Sequence, residues 1–199
     1  MRISSGKFGG MALKTPRTGG IRPTQDRVRE AMFNMIRGEV AGCSFLDLFA
    51  GSGAVGIEAL SQGAASATFV ERDRRHAETL RENIAEAVRR GAPAEACSVV
   101  CTDAYRYLAS YSGSGFSVAF ADPPYALGEE RGFADVLCVA AERGVVHPGG
   151  LFIAETPTSL DAPCAPGWEL VRDRAYGRTR LCIWRNRKEE SKRKEGLNG

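Results

Sequence analysis

Four apolar runs, SFLDLFA (44–50), SATFVE (66–71), ACSVVCT (96–102) and FSVAFAD (116–122), are each strand-length and each lead into a stretch with helical spacing. A fifth, GLFIAE (150–155), follows the last of these helices. Strands that are apolar throughout must be covered on both faces, which points to a parallel sheet between helices. The helices are expected over 54–63, from Asp73 to Arg90, from Asp103 to about Ser110, and over roughly 129–143. The second of these carries Ala77, Leu80, Ile84 and Ala87 on one face, with Gly91 beyond its end. WELVRDRAY (168–176) and RTRLCIWR (178–185) meet at Gly177 and read as a hairpin. The expected fold is therefore α/β, a mostly parallel sheet of seven strands closed by an antiparallel hairpin.

Ahead of this alternation lies a different kind of sequence. Residues 1–13 look like a short glycine-rich hairpin, and PRTGGIRPT (16–24) like a loop. Thr24 is placed to cap a helix running to Val40, with Val28, Met32, Met35, Ile36 and Val40 as its apolar stripe. The expected division is a basic hairpin-and-helix extension (1–42), a main domain (43–185) and a basic, disordered tail (186–199).

Charge follows the same division. Residues 1–29 hold seven Arg or Lys against Asp26 alone, whereas the net charge of the whole chain is only +3. Basic ends on an acidic body suit a polyanion, whose phosphates need clustered cations. The cysteines (43, 97, 101, 138, 164, 182) form no Cys-x-x-Cys pair, and only His76 and His147 accompany them. They read as reduced and structural, with Cys97 and Cys101 sharing a strand face, and no metal site is expected. With no membrane-length apolar run and no apolar leader after Met1, a cytoplasmic monomer is the default expectation.

The chemistry starts at the first strand–helix junction. Asp47-Leu48-Phe49-Ala50-Gly51-Ser52-Gly53-Ala54-Val55-Gly56 is a strand entering a G-x-G-x-x-G turn that opens a helix. Glycines there permit a tight turn and close approach of backbone to a ligand. Glu71, ending the next strand and followed by Arg72, suits a ribose hydroxyl pair. The loop alone leaves a dinucleotide and S-adenosylmethionine equally open. Asp103 ends the third strand and taken singly is a helix cap, yet it completes a series of carboxylates at successive strand ends.

Asp122-Pro123-Pro124-Tyr125 ends the fourth strand. Prolines fix φ and leave carbonyls without competing N–H donors, so the loop is stiff and rich in acceptors. An exocyclic amine can give its two N–H bonds to the Asp122 carboxylate and the Pro123 carbonyl while Tyr125 stacks on the base.

These motifs together resemble known methyltransferases. An acidic residue ahead of the glycines resembles methyltransferase motif I, in which that carboxylate lies near the cationic methionine end of S-adenosylmethionine. The resemblance implies a Rossmann-like methyltransferase whose cofactor contacts are Asp47, Phe49, Gly51, Gly53, Glu71, Arg72, Asp103 and Ala104. In that arrangement Asp103 accepts from the adenine amine, and the Ala104 N–H faces the ring. More narrowly, Arg22-Pro23-Thr24-Gln25-Asp26-Arg27-Val28-Arg29-Glu30-Ala31-Met32-Phe33-Asn34 resembles the R-P-T-x-D-R-V-R-E-A-L-F-N segment of the bacterial family that methylates guanine N2 in small-subunit ribosomal RNA. RISSGKFGGMAL and YGRTRL extend the likeness over residues 2–185, with Ser4-Ser5 replacing the usual small apolar residue and glycine.

The resemblance implies a single guanine of 16S rRNA in an assembling small subunit, of the guanine-966 type. Arg17, Arg22, Thr24, Arg27 and Arg29 would face that RNA. The guanine must be single-stranded or flipped, because N2 has to leave its pairing partner. An adenine-N6 methyltransferase should need more sequence for reading DNA. A nicotinamide-dependent oxidoreductase would share the glycine loop but gives no reason for DPPY. An idle RNA-binding protein has no use for the intact carboxylates.

Overall fold

The computed structural model describes residues 1–15, 23–123 and 133–187. After helices α1 (Pro23–Met35) and α2 (Arg37–Val40), strands and helices alternate as β1 (Ser44–Leu48), α3 (Ala54–Ser61), β2 (Ser66–Val70), α4 (Arg74–Arg89), β3 (Cys97–Val100), α5 (Ala104–Ala109), β4 (Phe116–Ala121), α6 (Phe133–Glu142) and β5 (Val146–Pro157). The hairpin β6 (Trp168–Tyr176) and β7 (Thr179–Asn186) completes the sheet. One sheet of seven strands has the order β3-β2-β1-β4-β5-β7-β6. Strands β1 to β5 pair in parallel, and β7 lies antiparallel between β5 and β6. This is the expected Rossmann-like sheet. Its hairpin is stitched in by β7 and leaves β6 at the edge, with charged side chains on the exposed rim.

The period-2 alternation of each strand sorts its side chains into two cores. Phe45, Phe120, Ile153 and Leu181 face one layer, covered by α1, α3 and α4 through Val28, Met32, Ile57 and Leu80. Leu46, Ala119, Phe152 and Trp184 face the other, covered by α5 and α6 through Leu108 and Leu137. Each large side chain so buried contributes roughly 1.5–3 kcal/mol.

Residues 1–15 belong to the first of these cores. Ile3, Phe8, Met11 and Leu13 are buried in it. The expected hairpin is reduced to one antiparallel bridge, Arg2 to Ala12, around a 3-10 turn at Gly6–Phe8. The segment is held from outside by side chains of the main domain. The Phe8 N–H donates to Ser61 Oγ at 2.8 Å, and Asn83 exchanges hydrogen bonds with the Lys14 backbone.

Three expectations need correction. The helix expected from Thr24 to Val40 begins at Pro23, a residue suited to a first turn, and breaks at Ile36 (φ −109°, ψ 15°). There the Glu39 N–H reaches back three residues to Ile36, and Gly38 weakens helix propagation. The third strand stops at Val100, so Cys101 is exposed beyond its end and Cys97 is only half-buried. Finally, β5 starts four residues early, at Val146, which pairs with Phe116; the register then shifts to Val118–Leu151, so His147 to Gly150 bulge out of the pairing with β4. All six cysteines are free thiols.

Candidate active site

All parallel strands end on one edge of the sheet, and the order β3-β2-β1-β4-β5 lines up Asp103, Glu71, Phe49, Asp122 and Glu155 along it. Ligands in open α/β sheets sit at such an edge, where the strand order reverses. Here β1 and β4 flank the reversal. A cavity of about 220 Å³ opens there, lined by Asp47, Phe49, Gly51, Asp122 and Glu155 and walled by Val28, Arg29 and Met32 of α1.

Strand alternation explains the lining. Asp47, Asp122 and Glu155 are two residues on from Phe45, Phe120 and Ile153, all in the core beneath α1. The three carboxylates therefore share the face that α1 roofs. The register pairs Ala121 with Ala154, so Asp122 and Glu155 stand level on adjacent strands.

Asp47 is 2% exposed and accepts the Gly56 N–H in the first turn of α3 at 2.9 Å. Burial pushes its carboxyl up to about 7, opposed by that hydrogen bond and reinforced by the nearby Glu71 charge. A buried acid raised this far is stabilised in its charged form by an arriving cation.

The turn after β1 is shaped for close approach. Phe49 holds a left-handed φ of 62° although it is not glycine, and its ring meets Tyr105 edge-on at 6.1 Å. Backbone strain of this kind persists where the surrounding structure demands it. Gly53, at φ 80°, precedes α3 in a conformation that favours glycine. Glu71 clamps the turn, accepting the Gly51 N–H at 2.8 Å with one oxygen and the Asp73 N–H at 2.8 Å with the other. Arg72 beyond it is exposed.

Asp103 caps α5, accepting the Arg106 N–H at 3.1 Å, and Ala104 is buried behind it. Neither lines the cavity; they lie two strands away along the same edge. Pro123 is partly buried beside Asp122, while Pro124 and Tyr125 fall outside the described residues.

Of the residues expected to face RNA, Arg17 and Arg22 lie outside the described residues, as does the side chain of Thr24. Arg27 is exposed on α1. Arg29 is not available to a phosphate: it is 5% exposed, donates to the Arg2 carbonyl at 2.6 Å and lies 3.1 Å from Asp26. Its Nε also stands 3.4 Å from Glu58 Oε2, an ionic contact without hydrogen-bond alignment. Glu58 is fully buried and accepts from the backbone N–H and hydroxyl groups of both Ser4 and Ser5. A buried carboxylate needs such partners, and this one recruits Arg29, while Arg27 on the same helix stays exposed.

Glu155 and Asn83 have no place in the motif reading. Glu155 had a usable signal, since GLFIAE ends in a carboxylate as the other strands do. Asn83, which donates to the Ser52 carbonyl at 2.9 Å and so ties the glycine turn to Lys14, sits in a helix with nothing in sequence to mark it.

The profile of the family described as "Conserved hypothetical protein 95" matches residues 1–185. The chain belongs to this family. Its conserved hypothetical protein 95 match takes in the first fifteen residues and the strand ends alike, leaving only the last fourteen outside. The chain is 35% identical over 179 residues to "Ribosomal RNA small subunit methyltransferase D" of Escherichia coli, covering 89% of this chain and 85% of the relative. It is also 35% identical over 190 residues to "Putative rRNA methyltransferase YlbH" of Bacillus subtilis, covering 94% and 100%. Among solved structures, a putative methyltransferase of Escherichia coli superposes with a TM-score of 0.81 at 29% identity, covering 95% of this chain and 99% of that one. A hypothetical protein of Thermus thermophilus does so at 0.74 and 35%, covering 92% and 98%.

Proposed function

We propose that this chain transfers a methyl group from S-adenosylmethionine to the exocyclic N2 of one guanine in 16S rRNA, of the guanine-966 type. The observation that carries this reading is that one cavity brings Asp122 of the DPPY segment together with Asp47 and the glycine turn. An amine-orienting carboxylate and a cation-seeking one face the same space. The curated relatives named as rRNA methyltransferases support the choice of RNA.

The donor carries its methyl group on a sulfonium, already activated for displacement. The protein's task is then alignment, which for well-oriented reactants is worth several orders of magnitude. Asp47, ionised, holds the cationic methionine end. Gly51 and Gly53 let backbone close on the cofactor, Phe49 packs beside it, and Glu71 keeps the turn in shape while presenting the ribose side. Asp103 and Ala104, further along the edge, receive the adenine. Asp122 accepts an N–H of the target amine together with the Pro123 carbonyl, so the nitrogen lone pair points at the methyl group. Once methylated, the nitrogen is cationic and acidic, and the adjacent carboxylate stabilises that charge until the proton leaves.

Arg27 on the exposed side of α1 grips phosphates, and Arg17 and Arg22, which precede it in sequence, are assigned the same role. RNA contact is thus assigned to the basic side chains of residues 1–42. The buried Arg29–Glu58 pair fixes α1, which roofs the cavity, so RNA contact and cofactor site are mechanically joined.

The decisive experiment maps N2-methylguanine in 16S rRNA from cells lacking this protein. Loss of one N2-methylguanine is expected, restored by the wild-type chain but not by Asp122→Ala. An unchanged modification pattern rejects the assignment.

A further inference from the structure

We propose that Glu155 reads the N1–H of the target guanine and is the residue that excludes adenine. This rests on the guanine-N2 reading above and names its specificity device. Glu155 lines the same cavity as Asp122. It stands level with Asp122 through the Ala121–Ala154 pairing and shares its face of the sheet. Adjacent strands are about 4.8 Å apart, so two carboxylates flank an object one base-edge wide.

The chemistry of that edge distinguishes the purines. Guanine presents N1–H and the N2 amine side by side, and both are donors. Two acceptors standing side by side match this pair: Asp122 takes the amine and Glu155 takes N1–H. Adenine presents an unprotonated N1, an acceptor, which would set a lone pair against the Glu155 carboxylate. A site built to hydrogen-bond one group rejects an analogue lacking it by about 10⁴-fold, here because an attractive N1–H contact is replaced by a repulsive one between two acceptors.

The neighbourhood supports a fixed acceptor rather than a mobile one. Glu155 lies within β5, opposite Leu181 of β7, with Ala154 buried before it and Thr156 buried after it. Pairing fixes the Glu155 backbone, so its side chain enters the cavity from a rigid element, as specificity requires.

The test uses the full chain and reconstituted small-subunit particles whose 16S rRNA carries either guanine or 2,6-diaminopurine at the target position. Diaminopurine keeps the 2-amine and replaces N1–H with an acceptor. The wild-type chain is expected to prefer guanine by about 10⁴-fold in kcat/KM. Glu155→Gln, whose amide can donate to an unprotonated N1, is expected to bring that ratio within about tenfold while S-adenosylmethionine affinity and the unfolding midpoint stay unchanged. A Glu155→Gln enzyme that loses activity on both substrates equally, keeping the wild-type ratio, overturns the proposal, as does a wild-type chain that methylates both equally well. A wild-type chain inactive on guanine particles instead removes the guanine-N2 reading itself.

Discussion

Arg29 of α1 and Glu58 of α3 face each other inside the protein, Nε 3.4 Å from Oε2, at 5% and 0% exposure. Two charges in such a place stabilise little by themselves, but removing one strands the other. Glu58→Ala is expected to cost about 3–5 kcal/mol in urea unfolding, because it leaves Arg29 and four donors from Ser4 and Ser5 without their acceptor. An unchanged midpoint would show that the pair contributes nothing.

Ser4→Ala and Ser5→Ala each remove one hydroxyl bonded to Glu58, at 2.8 and 3.2 Å. Each is expected to cost ~1 kcal/mol, the larger loss at Ser4, with the backbone N–H bonds retained. In the Glu58→Ala background these costs should shrink, since the acceptor is already gone. A double-mutant cycle measures the coupling.

Asp47 makes stability and cofactor affinity depend on pH in opposite directions. Its folded carboxyl sits near 7 against an ordinary 3.8, so the folded state holds a proton that the unfolded chain releases between these values. Its contribution to stability is therefore present below about 3.8 and lost as pH rises through about 7. A cationic cofactor needs the ionised form, so S-adenosylmethionine affinity should climb by up to about tenfold per pH unit towards 7 and then level off. Calorimetry between pH 5.5 and 8 checks this, and Asp47→Asn should flatten the profile.

Gly56 packs under the Phe69 ring, which a Cβ at this position would strike. Gly56→Ala should destabilise by about 1–3 kcal/mol and loosen the glycine turn, since the Gly56 N–H also holds Asp47. Denaturant unfolding and S-adenosylmethionine titration together should report both effects. Wild-type stability would mean that the ring moves freely.

Asp122→Ala is expected to abolish methylation while S-adenosylmethionine binding survives within about tenfold, ~1.4 kcal/mol. Retained turnover would show that the carboxylate is not needed to align the amine. Titration with NAD in place of S-adenosylmethionine should show no binding; NAD binding alone would reverse the assignment of the glycine loop.

Strand–helix alternation and the glycine turn made the sheet legible in sequence, because apolar periodicity and turn chemistry are local signals. Asp47 and Asp122 were legible too, since each sits at a strand end beside a diagnostic loop. Arg29 was not: in sequence it is one arginine among several, and only the arrival of α1 against Glu58 turns a phosphate ligand into a buried ion-pair partner. The same holds for the first fifteen residues, whose glycine-rich pattern suggests an appendage while their four buried apolar side chains complete the core beneath α1.

By itself, then, the amino-acid sequence determined which elements form and which loops carry reactive groups, since propensity, periodicity and turn residues act over a few positions. Tertiary structure alone decided which of those groups share a cavity. Strand order and the parity of each strand set Asp47, Asp122 and Glu155 on one face and left Asp103 capping a helix two strands away. Those outcomes depend on register between segments tens of residues apart, and no local pattern encodes that register.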